Sequence, residues 1–174
     1  CRNATIGNIV APGTVGVTYT VHIDPLANPC NNSPYFNDFP PIVICAGEPL
    51  VFDHSVTDPD GDVIVYELCN PFTGGDQNDP QPFPTAPPFG NVTWRNPYNL
   101  SNLLGGTSPL SINPNTGLLT GTPSQQGQFV VGICANEYRN GVLIGTIKRD
   151  FQFNVVSCIV DVEAIIPVIT DTGV

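Results

Sequence analysis

The chain has 174 residues, and 15 acidic against 5 basic residues give it a formal net charge of −10. Nucleic acids and anionic membrane surfaces are recognised through clustered lysine and arginine, so this balance argues against both as partners and against direct membrane insertion. Seventeen glycines and 19 prolines interrupt the chain too often for long helices. We therefore predict an all-β protein, and 41% hydrophobic residues are enough to form its core.

The six cysteines are widely spaced and include no Cys-x-x-Cys pair. This pattern favours disulfides formed in an oxidising compartment over a zinc site, and it predicts an extracellular or cell-surface location. Because Cys69 and Cys134 both lie in apolar strand-like runs, we expect them to pair across the core. The other pairings that we expect are Cys30 with Cys45 and Cys1 with Cys158. No signal peptide or transmembrane run is present, so we expect a mature or excised segment.

In chain order, the first predicted strand spans 16–24, where apolar and polar residues alternate. A connector rich in proline and asparagine follows at 31–41, and a new apolar run begins after it. We therefore expect residues 1–33 to supply terminal strands of a preceding module or an exchanged strand. The main domain is predicted to span 34–158.

An acidic turn, Asp58-Pro59-Asp60-Gly61-Asp62, separates two strand-like runs. Three carboxylates at every second position repel one another unless a cation lies among them. The turn is not an EF-hand loop, because its glycine stands at the fourth position and that loop requires glycine at the sixth. We predict calcium bound by Asp58, Asp60 and Asp62. The alternative is a turn in which the aspartates only cap backbone amides.

Further along, residues 71–90 hold six prolines and are predicted to form a long loop. The stretch from Asn96 to Gly105 has a capping asparagine, a proline at the first helical position and leucines at helical spacing. It predicts one short helix.

The last third of the domain is predicted to be β-structure. A tight hairpin is expected at 110–121, with Gly117 in its turn. Two long strands, 127–135 and 142–156, are joined by a predicted turn at Arg139-Asn140-Gly141. Residues 159–174 are also prone to form a strand, and we expect a linker or the start of the next module.

The sequence between residues 40 and 157 combines two motifs in a fixed order. The acidic turn comes first, and Leu-Ser-Ile-Asn-Pro-Asn-Thr-Gly-Leu-Leu-Thr-Gly-Thr-Pro follows. This order resembles the cadherin-like, immunoglobulin-type repeats of bacterial surface proteins. Cys-Arg-Asn-Ala-Thr-Ile at the start and Glu-Tyr-Arg-Asn-Gly-Val-Leu near the end resemble the large exported, gliding-motility-associated proteins of Bacteroidetes.

The resemblance implies an immunoglobulin/cadherin-like β-sandwich with flanking strands from adjoining modules. In such repeats calcium is held by the acidic turn, by an acid before the first strand and by one after the penultimate strand. The matching positions here are Glu48 and Glu137, and Glu137 stands where the repeats usually carry aspartate.

The expected function is that of a non-enzymatic structural or adhesive module, rigidified by calcium, that contacts neighbouring modules or copies of itself. Asp53, His54 and Ser55 are adjacent on a strand and cannot converge as a triad, and no other catalytic motif is present. One alternative is a subunit of a filament assembled by strand exchange. The other is a carbohydrate-binding module that stacks surface glycans on aromatic side chains. The aromatic candidates are Trp94, Tyr98, Tyr35, Phe36 and Phe39.

Overall fold

A computed structural model describes residues 1–24, 30–83, 86–106 and 108–158. In these residues the chain forms β-strands and one 3-10 turn at Pro12–Thr14, and none of them lies in an α-helix. The all-β prediction is therefore confirmed. No helix in this part of the chain could span a membrane. The strands are β1 Val21–Ile23, β2 Tyr35–Phe36, β3 Val43–Cys45, β4 Leu50–Asp53, β5 Val56–Thr57, β6 Val63–Leu68, β7 Ser108–Ile112, β8 Leu118–Thr122, β9 Gly127–Arg139 and β10 Val142–Val156.

The strands form three sheets. The largest has the order β1-β10-β9-β6, and β3 pairs in parallel with the last residues of β10. β4, β8 and β7 make a three-stranded antiparallel sheet, and β2 pairs with β5. The predicted turn between β9 and β10 is present, with positive φ at both Asn140 and Gly141 as a tight hairpin requires.

The core lies on both faces of β9, which explains why residues 129–135 of this strand are all buried. Phe129, Val131 and Ile133 pack with Leu110 and Leu119 of the three-stranded sheet, so these two sheets face each other. On the opposite face of β9, a second buried cluster contains Val130 and the amino-terminal residues. Its buried members are Ile6, Ile9, Val92 and Val130.

The hairpin predicted at 110–121 is confirmed as β7 and β8. Its Gly117 has φ 73°, and a Cβ at that position would come within 3.1 Å of Ser55 and of Tyr66. This turn therefore requires glycine because of both its backbone conformation and its close contact with β6.

The prediction of a short helix at 96–105 is wrong, because this segment forms turns. The Asn99 side chain accepts a hydrogen bond from the Ser101 amide, and the Asn99 and Asn102 backbones pair with each other. Leu103 and Leu104 are both buried although they are adjacent. Asparagine side chains that bond to the backbone compete with helix formation, and here tertiary burial of the leucines favours the turns.

The structure contains disulfides between Cys45 and Cys158 and between Cys69 and Cys134. The pairing of Cys69 with Cys134 is confirmed, but it joins neighbouring strands of one sheet and does not cross the core. The pairings Cys30–Cys45 and Cys1–Cys158 are wrong, because β3 runs parallel to the end of β10 and brings Cys45 to Cys158. Two disulfides are consistent with an oxidising, non-cytoplasmic environment.

The division into residues 1–33, 34–158 and 159–174 stays a prediction. In the described residues β1 pairs with β10, and the first ten residues pack on the largest sheet. An exchanged strand from a neighbouring copy would make the same contacts. Residues 159–174 lie outside the described part of the chain.

Candidate metal centre

The acidic turn lies next to the end of β9 because of the register between β6 and β9. Val63, the first residue of β6, pairs with Tyr138, so Asp62 stands beside Glu137 and Arg139. One carboxylate oxygen from each of Asp58, Asp62 and Glu137 lies within 4.8 Å of the others. The sheet thereby joins acids that are more than seventy residues apart in sequence.

The Asp58 side chain both shapes the turn and faces the cluster. Its Oδ1 accepts hydrogen bonds from the backbone amides of Asp60 and Asp62, at 3.0 and 2.9 Å. Its Oδ2 is buried and has no hydrogen-bond partner. Capping of backbone amides, the alternative to calcium, therefore accounts for one of the two oxygens.

Glu137 is the most unusual member of the cluster, because it is fully buried and neither of its carboxylate oxygens accepts a hydrogen bond. The side chain lies against Gly145 of β10, where a larger residue would collide with Oε2. Burial raises the pKa of Glu137, the Asp58 and Asp62 carboxylates raise it further, and the nearby Asn31 amide opposes the rise. A buried carboxylate that accepts no hydrogen bond costs about 1–3 kcal/mol in stability or more.

Arg139 is the one cation that pairs with this cluster in the described residues. Its guanidinium contacts both oxygens of Asp62, donates to Asn31 Oδ1 at 2.8 Å and lies 3.5 Å from Asp60 Oδ2. The hydrogen bonds from Arg139 lower the pKa of Asp62. Within the described part of the chain, the guanidinium is the one positive charge among the carboxylates of Asp60, Asp62 and Glu137, so most of the negative charge remains uncompensated.

Two events could relieve the remaining repulsion, which at 4 Å is on the order of 4 kcal/mol for a pair of charges near a protein surface. Glu137 could take up a proton and donate a hydrogen bond through it to Asp62. Alternatively, a cation could bind between the carboxylates. Calcium prefers six to eight oxygen ligands, and Asp58 Oδ2 and the two Glu137 oxygens are free to serve.

The five predicted ligands do not all come together. Asp58, Asp62 and Glu137 form the group, whereas Asp60 accepts hydrogen bonds from the Asn32 backbone and side chain at 2.6 and 3.0 Å. Those hydrogen bonds lower the pKa of Asp60. The group does not include Glu48, which is exposed in the turn between β3 and β4.

Glu48 lies at the opposite end of the largest sheet. Its neighbour Gly47 donates to the Pro123 carbonyl, and β3 pairs with the last residues of β10 beside the start of β9. Glu137 follows ten residues further along β9, about 30 Å away at the rise of a strand. Of the five expected ligands, Asp58, Asp62 and Glu137 therefore lie together, whereas Asp60 and Glu48 do not join them.

Sequence reasoning did not identify Arg139, Asn31 or Asn32 as parts of this site. Arg139 follows Glu137 by two residues on one strand, so the two side chains share a face. This spacing could have indicated that Arg139 lies beside the acidic cluster. The two asparagines come from the connector before β2. Their approach to the turn depends on tertiary structure, and no local pattern indicates it.

The aromatic residues considered for sugar binding lie in different environments. Trp94 is half-buried, packs against two core clusters and donates from Nε1 to Asn70 Oδ1 at 2.8 Å. Tyr98 packs on Phe129, and Phe36 is also partly buried. Only Tyr35 and Phe39 of the five are exposed, at 56% and 89%. Carbohydrate binding through the loop at 71–98 stays a prediction.

The residues around His54 do not assemble as a catalytic group. His54 is buried, with 1% of its surface exposed, whereas Asp53 is exposed and accepts a hydrogen bond from the Ser55 amide. Adjacent side chains thus point to opposite faces of the strand, as predicted.

No family model, curated protein or solved structure matches this chain.

Proposed function

We propose that this chain is a structural or adhesive module of an exported surface protein or extracellular filament, with an immunoglobulin/cadherin-like sandwich stiffened by calcium. The ion is held by Asp58, Asp62 and Glu137. The observation that carries this proposal is the buried Glu137 carboxylate, which accepts no hydrogen bond, faces two further carboxylates and has the Asn31 amide nearby. A cation supplies the missing partner and offsets the cost of burial.

Calcium at this position makes the turn between β5 and β6 rigid. Asp58 and Asp62 belong to the turn between β5 and β6, whereas Glu137 belongs to the central strand β9. An ion that binds all three ties a surface turn to the core of the largest sheet. Such a module transmits force and keeps a fixed angle to its neighbours. The two disulfides add stability of the kind that exported domains require.

Thermal unfolding in millimolar calcium and in excess chelator tests the site. An ion present at about one hundred times its Kd adds about 2.7 kcal/mol to the free energy of unfolding, so calcium should raise the midpoint by several degrees. Glu137→Gln should abolish this rise. In chelator the same variant should be more stable than the wild type, because a glutamine amide can donate to the neighbouring carboxylates.

Glu48→Gln is the matched control, because it removes the same charge at the far end of the sheet. Its calcium response should equal that of the wild type. A response lost equally in both variants would indicate a nonspecific charge effect and would refute the site. An unchanged midpoint in the wild type would leave Glu137 neutralised by a proton, and the calcium proposal would fail.

A further inference from the structure

The outer edge of β10 is covered at both ends and open in the middle. β1 pairs with it as far as Ile147, and β3 begins to pair at Asn154. On either side of this gap, the Ile144 carbonyl and the Asn154 amide bond outward to neighbouring segments. Because outward bonding alternates along a strand, the amides and carbonyls of Lys148, Asp150 and Gln152 also point outward.

We call residues 148–152 of β10 the edge slot. The Val21–Ile147 pair places the Thr20 carbonyl opposite the Lys148 amide, whereas no backbone group in the described part of the chain pairs with the outward amides and carbonyls of Asp150 and Gln152. The slot is five residues long, about 17 Å at the rise of a strand. This length suits one added β-strand, which the flanking strands would align.

The neighbouring segments keep the slot open for identifiable reasons. Residues 16–18, which precede β1, pack instead against the loop at 73–75, where Thr18 donates to the Thr73 carbonyl at 2.6 Å. On the other side, Pro40 and Pro41 lack an N–H and cannot donate a backbone hydrogen bond to β10. Both segments therefore line the slot without filling it.

The walls of the slot are apolar, and they form a groove with a volume of about 620 Å³. Three of its side chains are largely exposed, namely Tyr19 at 69%, Phe39 at 89% and Ile42 at 70%. Exposed aromatic and aliphatic side chains beside unpaired strand groups are the features that accept an extended segment.

The charge of the slot is opposite to that of the protein. The chain has five basic residues and a net charge of −10, yet Lys148 and Arg149 both lie in the slot, and its one acid, Asp150, is paired with Arg2. Arg149 stacks over Phe36, with 3.9 Å between its guanidinium carbon and the ring centre. An acidic extended segment with alternating apolar residues suits this surface.

Residues 159–166, Ile-Val-Asp-Val-Glu-Ala-Ile-Ile, have that chemistry. In an extended conformation, Asp161 and Glu163 share one face and Val160, Val162 and Ala164 share the other. We propose that residues 159–166 of a second copy of this chain add as a β-strand to the edge slot. The segment of the same chain is a poorer occupant, because it follows Cys158, which is bonded to Cys45, and β3 stands between that point and the slot.

The test compares the full chain, a variant lacking residues 159–174 and the variants Phe39→Asp and Phe39→Lys by analytical ultracentrifugation over a range of concentrations. The full chain should assemble as concentration rises, and the deletion should abolish assembly. Phe39 is exposed, so both point variants should fold. Aspartate should repel the acidic strand and abolish assembly, whereas lysine should retain part of it.

Hydrogen exchange supplies a second measurement that does not depend on assembly. A synthetic peptide of residues 159–166, added to the deletion variant, should slow exchange at Asp150 and Gln152. The amides of Arg149 and Phe151, which bond to β9, should be protected throughout. A peptide with proline in place of Val162 should have a weaker effect.

Three outcomes would overturn the inference. The deletion variant could assemble as well as the full chain, or the full chain could stay monomeric with fast exchange at the slot amides. A monomeric full chain whose slot amides lose protection on deletion would show that the segment of the same chain fills the slot. The slot is distinct from the acidic cluster, so none of these results bears on the calcium proposal.

Discussion

Acid sensitivity should arise largely from one side chain, His54. Its ring lies 5.1 Å from the Phe36 ring and 5.5 Å from the rings of Phe52 and Phe151, and neither ring nitrogen has a hydrogen-bond partner. Burial, together with the charge of Arg149, lowers the pKa of His54 from 6.5 to about 4, although Asp53 opposes the effect. The folded protein therefore keeps this histidine neutral where the unfolded chain would protonate it.

The sign and the size of the effect follow from this difference in pKa. Between pH 6.5 and about 4 the unfolded state binds more protons, so stability falls as the pH falls through this window. The contribution is fully present above the unfolded pKa. Each unit of pKa corresponds to about 1.4 kcal/mol, so up to about 3 kcal/mol is lost when the pH reaches the folded pKa.

Urea unfolding of the wild type and of His54→Leu, in chelator at a series of pH values, measures the contribution of His54 to the free energy of unfolding. Leucine has a similar volume and does not titrate, so the difference between the two proteins isolates His54 from the carboxylates. The wild type should lose up to about 3 kcal/mol more than the variant between neutral pH and about pH 4. Parallel curves for the two proteins would refute the assignment.

Three further substitutions probe the core, the longer disulfide loop and the acidic cluster. Leu119→Ala should cost about 3 kcal/mol in urea unfolding because Leu119 is completely buried, whereas Leu118→Ala, at a position 39% exposed, should cost less than about 1 kcal/mol; equal costs would contradict the core assignment. Serine at both Cys45 and Cys158, which are 113 residues apart, should lower the free energy of unfolding by about 4 kcal/mol, and unchanged stability would be inconsistent with this disulfide. Arg139→Met should lower the thermal midpoint in chelator and enlarge the rise caused by calcium, because the carboxylates lose their countercharge; a smaller rise would argue that Arg139 helps to hold the ion.

Local patterns in the sequence predict the strands and turns of this fold well where the chain alternates or turns tightly. The hairpins at 110–121 and 127–156 follow from alternation and from Gly117 and Gly141, which adopt positive φ. Residues 96–105 form turns although a helix was predicted there. Leucines at helical intervals therefore do not specify a helix, since the same spacing also suits turns that bury two adjacent leucines. The bond between Cys45 and Cys158 depends on parallel pairing across 113 residues, and no local pattern encodes it.

The candidate metal site could be predicted only in part, because local patterns do not encode which distant residues meet in the fold. Asp58 and Asp62 are visible as an acidic turn, and the family resemblance supplied Glu137. Whether these acids meet depends on the register of β6 on β9, which the sequence does not specify. Tertiary structure also decides the position of Glu48, which lies at the end of the largest sheet opposite to Glu137.

Calorimetric titration of calcium into chelator-stripped protein tests the central claim most directly. The wild type and Glu48→Gln should each bind one calcium ion per chain, and Glu137→Gln should show no binding heat under the same conditions. Calcium binding that is unaffected by Glu137→Gln, or no binding by the wild type, would contradict the account of this module as one stiffened by an ion at Asp58, Asp62 and Glu137.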